Sequence, residues 1–303
     1  MGDAQEDPLT LAFDILRRLP PSKITSNVEK LVNVLPEHAD DLASGVDQPL
    51  VLRIDDSPQG ASREYLCCDY NRDGNSWRSW ITNTWNPPIE DSEEEDTPLV
   101  PTGKLRELEL QANDAFETYR KLYYETGYSS VYLWDLNTSD SSVLPANFAG
   151  VVLFKKDLDT PSDPNAKGTF GTWDSIHVLE VSSITGIGAE SNQLKSAKYK
   201  VSSTVMLTLN RHDGVATEKG DVDLSGSLSR QTVESMKVTD MPGHIINLGK
   251  LIEDIESKIR NQVQEIYFGK MHDVVDHLRS LEDLEASRNA KRLQEELVAG
   301  WER

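Results

Sequence analysis

Asp69, Asn71 and Asp73, followed by Gly74, come nearest in this chain to a metal-binding arrangement. Oxygen ligands at alternate positions with a glycine in sixth place are the opening half of a calcium-binding EF-hand loop. The twelfth position, where that loop needs a bidentate Glu, is Trp80, and no helical pattern precedes the segment. With its main ligand missing, the segment reads as a tight turn whose Asp and Asn side chains cap nearby backbone groups. Cys67 and Cys68 are adjacent, which suits neither a disulfide nor a structural zinc site. His38, His177, His212, His244, His272 and His277 are scattered, and the last two are five residues apart where a helical pair of ligands stands four apart. They read as satisfied core or surface histidines. No metal and no cofactor is expected.

Signatures of catalysis are equally thin. Gly186-Ile187-Gly188 lacks the third glycine of a dinucleotide loop and reads as an ordinary turn. The sequence contains no phosphate loop ending in Gly-Lys-Ser/Thr, no HExxH and no GxSxG. A Ser/His/Asp triad can be assembled from distant segments of a chain, but nothing favours one here. The chain reads as non-enzymatic, so its chemistry should be that of binding.

The C-terminal end carries such chemistry. Leu293, Leu297 and Trp301 stand at i, i+4 and i+8, with Ala290 and Val298 beside them and Arg288, Lys291 and Arg292 just upstream. A helix of three or four turns is marginal in water, and its apolar stripe is suited to ordering in a partner's groove. The alternative is that the stripe packs on the chain's own sheet. The charged stretch 282–292 separates it from the core and favours the partner.

Charge narrows the class of partner. The 303 residues carry a formal net charge of −20, and the six acids between Glu90 and Asp96 account for six of these charges, leaving −14 elsewhere. A uniformly acidic chain argues against nucleic acid, whose binding rests on Lys and Arg, and against anionic membranes. No apolar run approaches the roughly 20 residues that span a bilayer. The start of the chain has neither a basic nor an apolar leader segment, so a reducing, cytoplasmic setting is expected.

The elements that must position these residues follow from periodicity. Leu9, Phe13, Leu16 and Leu19 share one helical face before Pro20-Pro21, and Ile24, Val28, Leu31 and Leu35 share another before Pro36. Leu42, Ala43 and Val46 give a third, weaker stripe. Residues 1–50 are therefore a small bundle of short helices, and 51–103 a loop-rich segment with an acidic insertion. Leu105, Leu108, Ala112, Phe116, Tyr119 and Tyr123 mark a helix within 104–126.

From 127 to 236 the pattern is β: Val131–Leu136, Ala149–Phe154, Trp173–Val181, alternate positions from Tyr199 to Leu209 with a gap at Ser203, and a weaker Leu224–Leu228. No helical pattern separates these runs, so the sheet should be antiparallel. Ile245, Leu248, Ile252, Ile255, Ile259, Val263, Ile266, Val274 and Leu278 then predict a long helix over 243–281, roughly 50 Å in length. The amphipathic extension 282–303 follows, and the whole is an α+β fold.

A series of unusual words now stands out. Arg17-Arg18-Leu19-Pro20-Pro21, Val46-Asp47-Gln48-Pro49-Leu50 and Leu66-Cys67-Cys68-Asp69-Tyr70-Asn71-Arg72-Asp73-Gly74 resemble the beta subunit of F-actin capping protein. So do Ser129-Ser130-Val131-Tyr132-Leu133-Trp134-Asp135, Phe148-Ala149-Gly150-Val151 and Trp173-Asp174-Ser175-Ile176-His177-Val178. Ser203-Thr204-Val205-Met206-Leu207, Gly226-Ser227-Leu228-Ser229-Arg230-Gln231 and Glu265-Ile266-Tyr267-Phe268-Gly269-Lys270 complete the run, in the family's order over about residues 9–281.

The resemblance implies a helical stalk, a central antiparallel sheet, a long C-terminal helix packed on it and a mobile C-terminal extension. It also implies an obligate heterodimer with an alpha subunit, the two half-sheets joining into one. The implied activity is occupancy of the barbed end of an actin filament, independent of calcium, in the cytoplasm at cortical actin patches. By the same resemblance the extension, with Arg288, Lys291, Arg292, Leu293, Leu297 and Trp301, should contact actin. Arg18, Asp47, Asp69 and Trp85 should meet regulators that carry a basic capping-protein-interaction motif. Trp85 stands where Tyr is expected, which keeps an aromatic surface and alters its hydrogen bonding. An alternative role is as the end-cap of the actin-related filament of dynactin, and a third is an adaptor without filament activity. The sequence departs from the family in the acid run, in longer connections at 137–147, 158–168 and 183–194, and in the loosely matching tail beyond Leu281.

Overall fold

The computed structural model describes residues 7–19, 23–45, 49–68, 72–73, 76–88, 100–136, 144–158, 168–184, 195–212 and 222–265. The acid run, the connections near Ser139, Pro161 and Gly186, and the chain beyond 265 lie outside these residues. The chain divides into two compact units, Met1–Ile255 and Glu256–Arg303.

The first fifty residues form helices α1 (Pro8–Arg18), α2 (Ile24–Val34) and α3 (Ala39–Ser44), with a 3-10 turn at Pro36–His38. Asp7 caps α1, its carboxylate accepting from the Thr10 N–H and hydroxyl, and Pro8 sits in the first turn, where its missing N–H is no loss. The stripes meet in one cluster: Ala12, Leu16, Val28 and Leu42 are buried, with Leu9, Phe13, Ile24 and Leu31 packed around them. No one of these helices is long enough to persist without that shared core.

The next segment, expected to be loop-rich, carries five short strands. Strands β1 (Val51–Asp55) and β2 (Arg63–Cys67) form an antiparallel hairpin, and β3 (Arg72–Asp73), β4 (Ser76–Ser79) and β5 (Thr84–Asn86) a three-stranded sheet. Their signal is faint for two reasons. The strands are two to five residues long. In addition, β2 is buried on both faces: Tyr65 and Cys67 pack with Trp77 on one side, and Leu66 packs with Tyr132 and Val151 on the other. A strand covered on both sides shows no polar–apolar alternation.

After helix α4 (Gly103–Tyr123), five strands form one antiparallel meander in the order β10-β9-β8-β7-β6. They are β6 (Tyr128–Asp135), β7 (Asn147–Leu158), β8 (Gly168–Ile184), β9 (Lys195–His212) and β10 (Val222–Val238). The last three run 17, 18 and 17 residues, well beyond the apolar runs that announce them, because their outer parts carry Ser, Thr, Lys and Gly. At Gly171 the backbone of β8 comes so close to β9 that a Cβ would lie 1.9 Å from the Thr208 carbonyl oxygen.

One face of this sheet, through Tyr132, Val151, Leu153 and Ile176, packs on Leu50, Leu66 and Cys68 from the segment before it. The other face receives α4 and the first part of α5 (Met241–Val263). Phe116 and Tyr119 of α4 meet the Phe154 ring, with centroids 6.0 and 5.1 Å apart. From α5, His244 stands edge-on to Phe148 and bonds Tyr199 through Nδ1 at 2.9 Å, and Asn247 also donates to the Tyr199 hydroxyl. The helix begins two residues before the expected start, with Pro242 inside its first turn and Asp240 accepting from the Gly243 N–H. Its described part ends at Val263, so the expected continuation to 281 lies outside the described residues.

Ser203, the gap in the β9 pattern, is as buried as its neighbours. Its hydroxyl lies 2.7 Å from His177 Nδ1 on the adjacent strand, so the polar side chain has its partner inside the core.

Candidate functional site: one sealed sheet edge and one open edge

A five-stranded open sheet has two edges, and each presents backbone N–H and C=O groups that need partners. The edge at β6 is closed by side chains of α4. Asn113 accepts the Val131 N–H through Oδ1 at 2.8 Å and donates through Nδ2 to the Val131 carbonyl at 2.9 Å. Glu109 accepts the Leu133 N–H at 2.7 Å. An acid and an amide four residues apart on one helix thus stand in for a sixth strand.

Glu109 is fully buried, and an unpaired carboxylate there would be costly. Arg78 of β4 answers it with two hydrogen bonds, 3.0 and 2.6 Å, and Arg106 of α4 with a third. Arg78 in turn lies 4.9 Å over the Tyr132 ring and donates to Asn83, while Arg106 donates to the Trp80 carbonyl. Ser130 accepts the Leu66 N–H and the Tyr132 hydroxyl donates to the Leu66 carbonyl, which ties the first hairpin to the same edge. Sequence reasoning passed over this network. The signal was present, since Glu109 and Asn113 interrupt the stripe Leu105, Leu108, Ala112, Phe116 on the face that must be buried.

At the opposite edge, β10 pairs with β9 along all 17 of its residues and with no other strand among the described residues. Among the described residues one helix side chain bonds its backbone, Asn247 of α5 donating to the Lys237 carbonyl at 3.0 Å near the end of the strand, and no helix side chain bonds the backbone between Val222 and Met236. Ser227, Ser229, Gln231, Val233, Glu234 and Ser235 are exposed, and Val233 keeps 47% of its surface in contact with solvent. A long edge of this kind is a template for another chain.

Of the residues singled out for regulators, Trp85 lies on β5 opposite Arg78, half-buried, with its indole N–H buried and no acceptor for it among the described residues. Arg18 is the last residue of α1, and its side chain lies outside the described residues, as do Asp47 and Asp69. Arg288, Lys291, Arg292, Leu293, Leu297 and Trp301 all lie outside them too. Of the ten predicted site residues, only Trp85 has its side chain among the described residues.

Other candidates resolve into architecture. Cys67 and Cys68 are buried and not joined in a disulfide, and successive positions at the end of β2 send them into different clusters. Burial pushes the Cys67 thiol up to about 12, well away from the reactive range. The segment of alternating Asp and Asn leads from β2 into the β3–β4 hairpin, with Asp73 opposite Ser76, so it is flanked by strands where a calcium loop of the EF-hand type is flanked by helices. Among the described residues no three His, Cys, Asp or Glu side chains come together as metal ligands, and no described helix is long and apolar enough to cross a membrane.

Comparison with known proteins gives a consistent result. Residues 9–275 match the family model for "F-actin capping protein, beta subunit". The chain is similar to the F-actin-capping protein subunit beta of Emericella nidulans, 41% identical over 100% of both chains. It is 41% identical to that of Drosophila melanogaster over 99% of this chain and 96% of the relative, and 42% identical to that of Caenorhabditis elegans over 93% and 91%. Among solved structures it is similar to a homodimeric actin capping protein alpha subunit from Plasmodium berghei, 14% identical with a TM-score of 0.48, over 91% of this chain and 96% of that one.

Proposed function

Because the chain belongs to the F-actin capping protein beta-subunit family, we propose that it is one half of a heterodimeric filament cap. It pairs with an alpha subunit, and the heterodimer occupies the barbed end of an actin filament without calcium and without catalysis, blocking both addition and loss of subunits. The observation that supports this reading is the asymmetry of the sheet among the described residues: β6 is sealed by Asn113 and Glu109, while β10 pairs on one side only and is bonded by a helix side chain at Lys237 alone. A partner half-sheet joining at β10 would satisfy that edge and continue the meander.

On this reading the extension 282–303 is the part of this subunit that meets actin. Leu293, Leu297 and Trp301 are its apolar anchors, and Arg288, Lys291 and Arg292 its local positive charge. Full burial of a large apolar side chain is worth roughly 1.5–3 kcal/mol before ordering costs, so three anchors add a few kcal/mol in all. Actin, like this chain, is acidic, so long-range attraction must come from such basic spots or from the alpha subunit. Arg18, Asp47, Asp69 and Trp85 belong to the surface for basic regulatory peptides, and the protein works in the cytoplasm at cortical actin.

The experiment is barbed-end elongation from actin seeds with the chain co-expressed with its alpha subunit. Substoichiometric heterodimer should stop elongation equally in calcium and in chelator. A folded heterodimer that leaves elongation untouched would remove the capping function and leave the dynactin end-cap or an adaptor in its place.

A further inference from the structure

Arg230 stands at the midpoint of the open strand. β10 runs from Val222 to Val238, so eight residues lie on either side of it. Its side chain is half-buried on the face that carries α4 and α5, in the cross-strand row Val131, Val152, His177, Ser203, Arg230. It has no ion-pair or hydrogen-bond partner among the described residues, and its neighbour in the row, Ser203, is engaged with His177. A cation thus ends a polar row at the sheet edge and faces whatever chain pairs next.

The position has a consequence for which chain that can be. Two copies of an open-edged sheet can join by antiparallel pairing about a two-fold axis, and keeping the two helix-covered faces on one side requires each residue to meet one of like face. Full-length self-pairing of β10 is then centred on Arg230. Apart from that centre the strand is nearly self-complementary: Asp223 takes the position opposite Lys237, Leu224 opposite Met236, and Leu228 opposite Thr232. At the centre Arg230 meets Arg230 of the second copy, and like charges directly opposite are destabilising. A slip of two residues in either direction shortens the ladder and leaves the two guanidinium groups on neighbouring diagonal positions.

We propose that Arg230 selects the partner at this edge: it disfavours pairing with a second copy and favours a strand of a different chain that places a carboxylate opposite it. One charge at the centre of a two-fold contact acts twice against the homodimer, while a single opposite charge on the true partner neutralises it. The inference rests on the pairing of β10 proposed above and adds the residue that makes that pairing heterologous.

The test uses Arg230→Thr, which suits an edge strand and removes the charge, and Arg230→Lys, which keeps it. In purified heterodimer, the Thr variant should release its partner subunit about three- to fivefold faster than wild type, the upper end of the scale of one opposed cross-strand pair, and the Lys variant at a rate within about 1.5-fold of wild type. Sedimentation of the full chain alone should show a discrete dimer of the Thr variant at concentrations where wild type and the Lys variant show none. An unchanged release rate for Arg230→Thr, or a wild-type chain that dimerises as well as the variant, overturns the proposal. Hydrogen exchange at β10 in the wild-type heterodimer separates the two ways of failing. Unprotected amides there would remove the pairing itself, and protected amides with an indifferent Arg230 would remove only the selection.

Discussion

Asp174 shows how burial sets the behaviour of a single residue. It is almost fully buried beside Lys155, whose ammonium lies 3.0 Å away and also pairs with Asp157 at 3.3 Å. Burial raises its carboxyl to about 6, and the attraction of Lys155 offsets this only in part. A carboxyl raised above its unfolded value holds its proton longer in the folded state, so its contribution to stability falls as pH rises from about 4 through about 6. Asp174→Asn should flatten the pH dependence of urea unfolding of the heterodimer in that window, and an unaltered slope would count against this assignment. His244 works in the opposite sense. Burial lowers its pKa, so it is neutral against Tyr199 and loses stability as pH falls below its ordinary value of 6.5. Neither residue could be assigned from sequence: Asp174 reads as one acid among many, and His244 became a core histidine only when Tyr199 was seen across from it.

At the scale of elements, legibility followed periodicity. The stripe from Leu105 to Phe116 and the alternation from Tyr199 to Val205 are each buried on one side, and both helix and strand were readable. β2 was not, since Tyr65, Leu66 and Cys67 are all fully buried and no face is left to solvent. β10 was readable only as a weak strand, because its Ser and Gly residues carry little apolar signal while its open edge is a property of the sheet. The sealing of β6 by α4 is likewise a relation between elements, set by where Glu109 and Asn113 land. Glu109→Ala strands Arg78 in a buried site and unpairs the Leu133 N–H, which should cost about 3–5 kcal/mol. Glu109→Gln keeps the acceptor and loses only the charge, so it should cost less. Urea denaturation of the heterodimer checks the order, and equal costs for the two substitutions would show that the charge pair dominates the backbone bond.

At the scale of the molecule, the five-stranded sheet of the described residues ends at a long strand that pairs on one side only. On the proposed reading an alpha subunit completes that sheet, and Arg230 disfavours a second copy in its place. The amphipathic pattern of the extension, Leu293, Leu297 and Trp301, lies outside the described residues, and the proposed contact with actin is tested by removing it. Truncation after Leu281 should leave the heterodimer folded, with an unchanged melting temperature, and slow the capping of barbed ends. A truncated heterodimer that fails to fold would make the extension structural.

The most direct test of the account is amide hydrogen exchange across the sheet in the heterodimer, read at β6 and β10 together. The account predicts that Val131 and Leu133 are protected by Asn113 and Glu109 of the same chain, and that amides along Val222–Val238 are protected because the alpha subunit covers them. Outward-facing β10 amides that exchange as fast as exposed loops would contradict it, and would place the subunit interface elsewhere on the molecule.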